Sequence, residues 1–203
     1  AFIKCLVAEY LRLTGIDGKN DGTLLSLNDI PKSSEITNEF ANVTRSKNNS
    51  GLINKRAVQM NGKLTKTPCR FLHFKMNTQK LKEVAKSHNA TITAYILALM
   101  FMAGKYATEQ YDGDMSIQLP VNMRKYYPSE TLRNFSMYCA IRIPLSKDLV
   151  FDELILDITN QINEKASKEM MSEMLTSTEK LINSIRYIPL IIKNPVAKLM
   201  HGM

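Results

Sequence analysis

Helical and strand patterns follow one another irregularly along this chain, and that mixture predicts an α/β or α+β layer fold. Two observations carry the prediction. Residues 69–76 and 135–143 alternate apolar and polar side chains, the period of a half-buried strand. Residues 2–14, 78–87 and 150–185 instead repeat apolar side chains every three or four positions, the period of a helix. The chain has 203 residues, 44% hydrophobic and 23% charged, enough for one medium domain or two very small ones. That is sufficient apolar surface for a real core, so disorder is excluded as the main state.

The elements follow in order. Ile3, Leu6, Val7, Tyr10 and Leu11 share a face of a helix over 2–14, and Gly15 supplies its stop. Residues 16–67 are polar, with turn dipeptides at Asp17-Gly18 and Asp21-Gly22 and at most a helical turn at 34–40. So long a polar connection reads as a crossover between two lobes. In 69–76, Leu72, Phe74 and Met76 point one way and Phe71, His73 and Lys75 the other. Asn77 or Thr78 caps a helix through Ser87 with Leu81, Val84 and Ala85 inward, and Thr91 caps a second one from Ile92 to about residue 109. This second helix is apolar nearly all round and is expected to lie buried between layers. Asp112-Gly113-Asp114 is a turn, followed by a strand over 116–121. A second strand spans 135–143, with Phe135, Met137, Cys139, Ile141 and Ile143 on one face and Pro144 as its stop. Strands 69–76, 116–121 and 134–143 are expected in one sheet. A long helical stretch from Val150 to about Ile185 has room for a break in the middle. The tail 187–203 is apolar and basic, with Pro189 and Pro195 as breakers.

Composition also bounds function. Cys5, Cys69 and Cys139 are few, odd in number and far apart, which gives neither a disulfide framework nor a metal spacing and points to a reducing, cytoplasmic setting. The longest apolar run, 92–103, is too short for a membrane span. The chain opens at Ala1 inside an amphipathic pattern, without an initiator Met, which suggests that upstream sequence is missing. The net charge is +8, and residues 44–86 concentrate the excess, with eleven Lys or Arg against one acid, Glu83. Such a stretch attracts polyanions or simply forms a solvated surface. Nucleic acid is disfavoured, because few aromatics interleave and no nucleic-acid-binding signature is present.

Chemistry motifs are nearly silent. His73, His88 and His201 have no metal-ligand spacing around them, so no metal is expected, and each reads as a surface or strand residue. Neither a nucleophile elbow nor a Gly-rich phosphate loop is present. One segment says more. A strand ending Pro120-Val121-Asn122-Met123-Arg124 is followed, after about ten residues of loop, by Leu132-Arg133-Asn134-Phe135-Ser136 opening the next strand. Two neighbouring strand ends can deliver Arg124 and Asn134 to one place. The plainer reading is a surface cation and a turn residue.

In the order of these segments the chain resembles the CoA-dependent acyltransferase superfamily, which includes chloramphenicol acetyltransferase, condensation domains and alcohol acetyltransferases. Residues 2–15 resemble the helix after that family's His-His-x-x-x-Asp-Gly motif. Residues 81–106, with Ala90-Thr91-Ile92-Thr93 at their centre, resemble the paired helices that open its second lobe. Segments 120–124 and 132–136 resemble its Pro-Val-x-x-Arg and Gly-Asn-Phe motifs, with Arg133 where Gly is usual.

The resemblance implies a chloramphenicol-acetyltransferase-like two-layer sandwich with a mixed sheet, mostly the second lobe. Residues 1–66 would be the end of the first lobe and the crossover, and 67–203 an incomplete second lobe. It implies an acyltransferase that moves an acyl group from a CoA or carrier-protein thioester to an alcohol or amine; the alternative is a non-catalytic acyltransferase-like binding module. The histidine motif is absent from this sequence, so no catalytic residue is expected here and the chain alone is expected to be inactive. Arg124 and Asn134 are expected to brace the active site, with Arg124 facing solvent or paired to an acid. Lys63 and Lys66 are expected to hold the phosphates of acyl-CoA or acyl-phosphopantetheine, which is a substrate rather than a resident cofactor. The implied partners are these small molecules and the missing N-terminal lobe.

Overall fold

The computed structural model describes residues 2–16, 24, 29–48, 56–59, 73–108, 112–145, 148–187 and 189. Its elements are α1 (Phe2–Leu13), α2 (Ser33–Ile36), α3 (Thr78–Ser87), α4 (Ile92–Ala107), β1 (Asp114–Asn122), β2 (Ser136–Pro144), α5 (Phe151–Lys165) and α6 (Lys168–Arg186). Short 3-10 turns add Glu39–Asn42 and Met123–Lys125. The architecture is mixed α/β, with β1 and β2 paired as a two-stranded antiparallel sheet.

The sheet departs from expectation. Among the described residues it is antiparallel and two-stranded rather than mixed, and the described part of the expected strand, 73–76, adds nothing to it. Residues 69–72 lie outside the described residues, while 73–77 run without strand pairing and His73 to Met76 are all exposed. Alternation marks which side chains share a face, but a strand exists only where a neighbouring backbone supplies its hydrogen bonds. The tail from residue 190 onward is also outside the described residues.

Within the chain, residues form two compact units. One comprises Thr44–Val121 and Met137–Met203. Its core is apolar: Phe101 from α4, Met115 from β1, Ile141 and Ile143 from β2, Ile158 from α5 and Met171 from α6 are buried. β2 buries Cys139, Ile141 and Ile143, as the period of two requires. Burying each such aliphatic side chain contributes about 1.5–3 kcal/mol. α4 packs against α3 and α5. It was expected to be buried all round, but only Ala94, Leu97, Ala98 and Phe101 are buried, while Leu99 and Met100 are 46% and 50% exposed. A helix flanked on one side by its partners buries one stripe, whatever the composition of the other.

Local chemistry sets the ends of these helices. Asn77 and Thr91 accept backbone N–H groups of Lys80 and Ala94 at 3.0 and 3.1 Å, capping α3 and α4. Asn89, at φ 52°, ends α3 in the left-handed region that Asn tolerates. The break expected within 150–185 falls at Ala166–Ser167, where the Ser167 hydroxyl accepts the Met170 N–H at 3.2 Å and starts α6.

The other unit comprises Ala1–Val43 and Asn122–Ser136. These are units of local compactness, and the lobe assignment 1–66 and 67–203 stays with the acyltransferase reading. The helical turn expected at 34–40 is split between α2 and the 3-10 turn that follows. The face of α1 that carries Ile3, Leu6, Val7 and Tyr10 is exposed, each of the four by at least half. Among the described residues, no single helix is long and apolar enough to cross a membrane.

Candidate functional site

The segment 120–136 is built around Arg124. Asn122 ends β1, and its side-chain oxygen accepts the Arg124 N–H at 3.1 Å, closing the 3-10 turn. Met123 in the same turn is fully buried and anchors it. The Met123 N–H donates to the Phe135 carbonyl at 3.0 Å, so the two strand ends stay paired just past the sheet. From this anchor the Arg124 guanidinium spans the loop. Its Nη2 donates to the carbonyls of Thr131 at 2.5 Å and Arg133 at 3.0 Å, and its Cζ lies 5.9 Å from the centroid of the Phe135 ring. A planar fork with several N–H donors suits this task, where a single ammonium would not.

The same loop is fastened from its far side. The Thr131 hydroxyl is directed at the Thr37 carbonyl at 2.7 Å, and the Leu132 N–H donates to the Glu35 carbonyl at 2.7 Å. Phe40 meets Phe135 edge to face at 5.0 Å. Arg124 was expected to face solvent or pair with an acid. It is instead half-buried and held on backbone oxygens, because the loop 125–133 folds back and presents carbonyls that need donors. Asn134 sits between Arg133, whose carbonyl Arg124 holds, and Phe135, whose ring Arg124 covers; its own side chain is exposed. Lys63 and Lys66 lie outside the described residues.

A second place emerges that residue patterns did not reveal. His88 was read as a surface residue near a helix end. Its Nδ1 lies 2.6 Å from Asp152 Oδ1. His88 comes from the end of α3 and Asp152 from the first turn of α5, so the two are 64 residues apart in sequence. The imidazole is also set among rings, with Phe151 at 5.3 Å and Tyr95 at 5.6 Å. Beside the pair lies an open groove of about 360 Å³, walled by Ile155 and Leu156 of α5. The Asp152 side chain is 74% exposed, so as a salt bridge the pair contributes at most about 1 kcal/mol. Only the aromatic cluster could have hinted at this place, since one face of α4 and α5 carries Tyr95 and Phe151.

Other charged contacts in this unit look structural. Arg142 pairs with Asp114 at 3.4 Å, both nearly buried, and the Gln161 side chain bonds the Arg142 backbone at 3.0 and 2.8 Å. Burial pushes the Cys139 thiol above its ordinary value, against the pull of the nearby Lys165 ammonium, so it stays a neutral core side chain. Among the described residues, no group of three or more His, Cys, Asp or Glu side chains could hold a metal ion.

Comparison with protein-family models, with curated proteins and with solved structures gives no significant match.

Proposed function

We propose that this chain is part of an acyltransferase, moving an acyl group from a CoA or carrier-protein thioester to an alcohol or amine. The arrangement around Arg124 is the observation that supports the reading. Segments 120–124 and 132–136, which resemble motifs of the CoA-dependent acyltransferases, are brought to one loop and fixed there by one guanidinium. Rigid strand ends of this kind suit a channel that must hold a thioester in attack geometry. In this reading the fold is the second lobe of a chloramphenicol-acetyltransferase-like sandwich. Arg124 braces the loop and takes no part in proton transfer, because a guanidinium stays protonated at working pH. Asn134, exposed beside it, would brace the same loop or line the channel. Lys63 and Lys66 would hold donor phosphates, and the setting is cytoplasmic.

The test is thiol release from acetyl-CoA in the presence of simple alcohols and amines, by the protein in its complete form. Release that requires both donor and acceptor, and that falls in Arg124→Lys, is the expected result. The chain 1–203 alone is expected to give none, since loss of a general base costs about two to four orders of magnitude. No acceptor-dependent release from the complete protein overturns the reading in favour of a binding module. Reversing Lys63 and Lys66 to Glu should weaken donor binding and flatten its salt dependence.

A further inference from the structure

The hydrogen-bonding character of the groove beside His88 is one-sided. Asp152 is an acceptor, so a neutral His88 ring carries its proton on Nδ1, toward the carboxylate, and leaves Nε2 as an acceptor. Among the described residues Nε2 has no partner of its own. Two hydroxyls line the same groove, and both protons are already committed. Ser87 Oγ donates to the Val84 carbonyl at 2.7 Å, and Thr159 Oγ1 donates to the Ile155 carbonyl at 2.8 Å. Their oxygens are left to accept. Only the Asn89 amide adds a side-chain donor, and no lysine or arginine lines the groove among the described residues. Ile155 and Leu156 supply an apolar wall.

We propose that His88, Asp152 and this groove form a binding site for a small molecule with a hydrogen-bond-donating head, an alcohol or amine, on a short apolar body. The head donates to His88 Nε2, Asp152 holds the proton of the neutral ring on Nδ1 so that this nitrogen is the acceptor, and the body lies against Ile155 and Leu156. Against the neutral ring an anion such as a carboxylate or phosphate is disfavoured, because it would meet acceptors and a carboxylate, with the Asn89 amide as donor and no cation among the described lining residues. Within the acyl-transfer reading this is an acceptor site; it rests on that reading only for the reaction, since binding can be measured without turnover.

The experiment is a titration of the chain with 1-hexanol, hexylamine and hexanoate at about pH 8.5, on the alkaline side of the ordinary imidazole range. The readout is the imidazole NMR signals of His73, His88 and His201, assigned by substitution. A saturable shift of the His88 signal alone, by hexanol, hexylamine or both, is expected, with none from hexanoate; the tighter of the two names the head group. His88→Phe keeps a ring against Phe151 and Tyr95 and should weaken binding at least about fivefold without loss of fold, the latter checked by its melting curve. Asp152→Asn is the sharper variant. Its amide can donate to Nδ1, which moves the ring proton to Nε2 and turns the acceptor into a donor. Hexanol binding should fall and hexanoate binding should appear. The proposal is overturned by no saturable shift up to the solubility limit, by hexanoate equalling hexanol in the natural sequence, or by unchanged hexanol affinity in Asp152→Asn. Hexanol binding by the chain with no thiol release by the complete protein would leave this site standing and remove the acyl-transfer reading; thiol release by the complete protein without hexanol binding would do the reverse.

Discussion

In the unit formed by Thr44–Val121 and Met137–Met203, Phe101, Ile141, Ile143, Ile158 and Met171 are fully buried, and four of the five come from α4, β2 or α5. In the unit formed by Ala1–Val43 and Asn122–Ser136, the large fully buried side chains among the described residues are Met123 and Phe135. What orders the second region is mostly polar: Arg124 on two carbonyls, Thr131 and Leu132 on the backbone of 35–37, and Ser34 Oγ on Glu130 at 3.0 Å. Apolar burial accumulates with area and tolerates imprecise partners. A hydrogen-bonded loop returns only about 0.5–1.5 kcal/mol per bond, yet fixes geometry closely. The first region is therefore ordered mainly by apolar burial, and the second mainly by a hydrogen-bonded loop.

The comparison breaks most visibly at Phe101. Phe101→Ala should cost about 3–5 kcal/mol in denaturant unfolding, through lost burial and a residual cavity. An effect under about 1 kcal/mol would mean that the apolar core does not carry this unit. Gly113→Ala comes next. Gly113 has φ +97°, and an added Cβ would stand 2.8 Å from Val58 Cγ2. The strain predicts about 1–3 kcal/mol, seen as a lower melting temperature. For the polar region, Arg124→Ala should cost about 1–2 kcal/mol, and Arg124→Lys should recover little of it because the fork is lost. Hydrogen exchange of the Arg133 to Phe135 amides should rise while that of α4 stays unchanged. Equal loosening of both regions would erase the distinction drawn between them.

A pH experiment sharpens the core side. The Cys139 thiol is raised by burial, so the folded chain binds that proton more tightly than the unfolded chain does. Its contribution is complete below the ordinary thiol range, near about pH 8.5, and is lost as pH rises through the raised folded value. The melting temperature should fall over that window, and Cys139→Ala should flatten the fall. The smallest effect belongs to Arg45, whose guanidinium meets Glu179 at 2.6 Å with both side chains a third or more exposed. Arg45→Ala should change unfolding free energy by less than about 1 kcal/mol.

Local chemistry made much of this legible in the residues. The caps at Asn77 and Thr91, the turn at Gly113, the stop at Pro144 and the alternating face of β2 follow from groups within a few positions of each other. So does the pairing of segments 120–124 and 132–136, because a connection of about ten residues between strand patterns favours neighbours in a sheet. The expected strand at 69–76 had the right alternation, but 73–77 has no paired backbone beside it among the described residues. The carbonyls that Arg124 holds were equally hidden, since backbone oxygens have no signature in a sequence.

The sequence by itself determined where helices start and stop and which side chains share a face, since those properties depend on neighbours three or four residues away. Tertiary structure alone decided which apolar faces are covered: β2's face is buried, while that of α1, equally regular in pattern, is exposed. It alone brought His88 to Asp152, because a contact across 64 residues depends on how α3 and α5 each pack against α4 and on no local pattern.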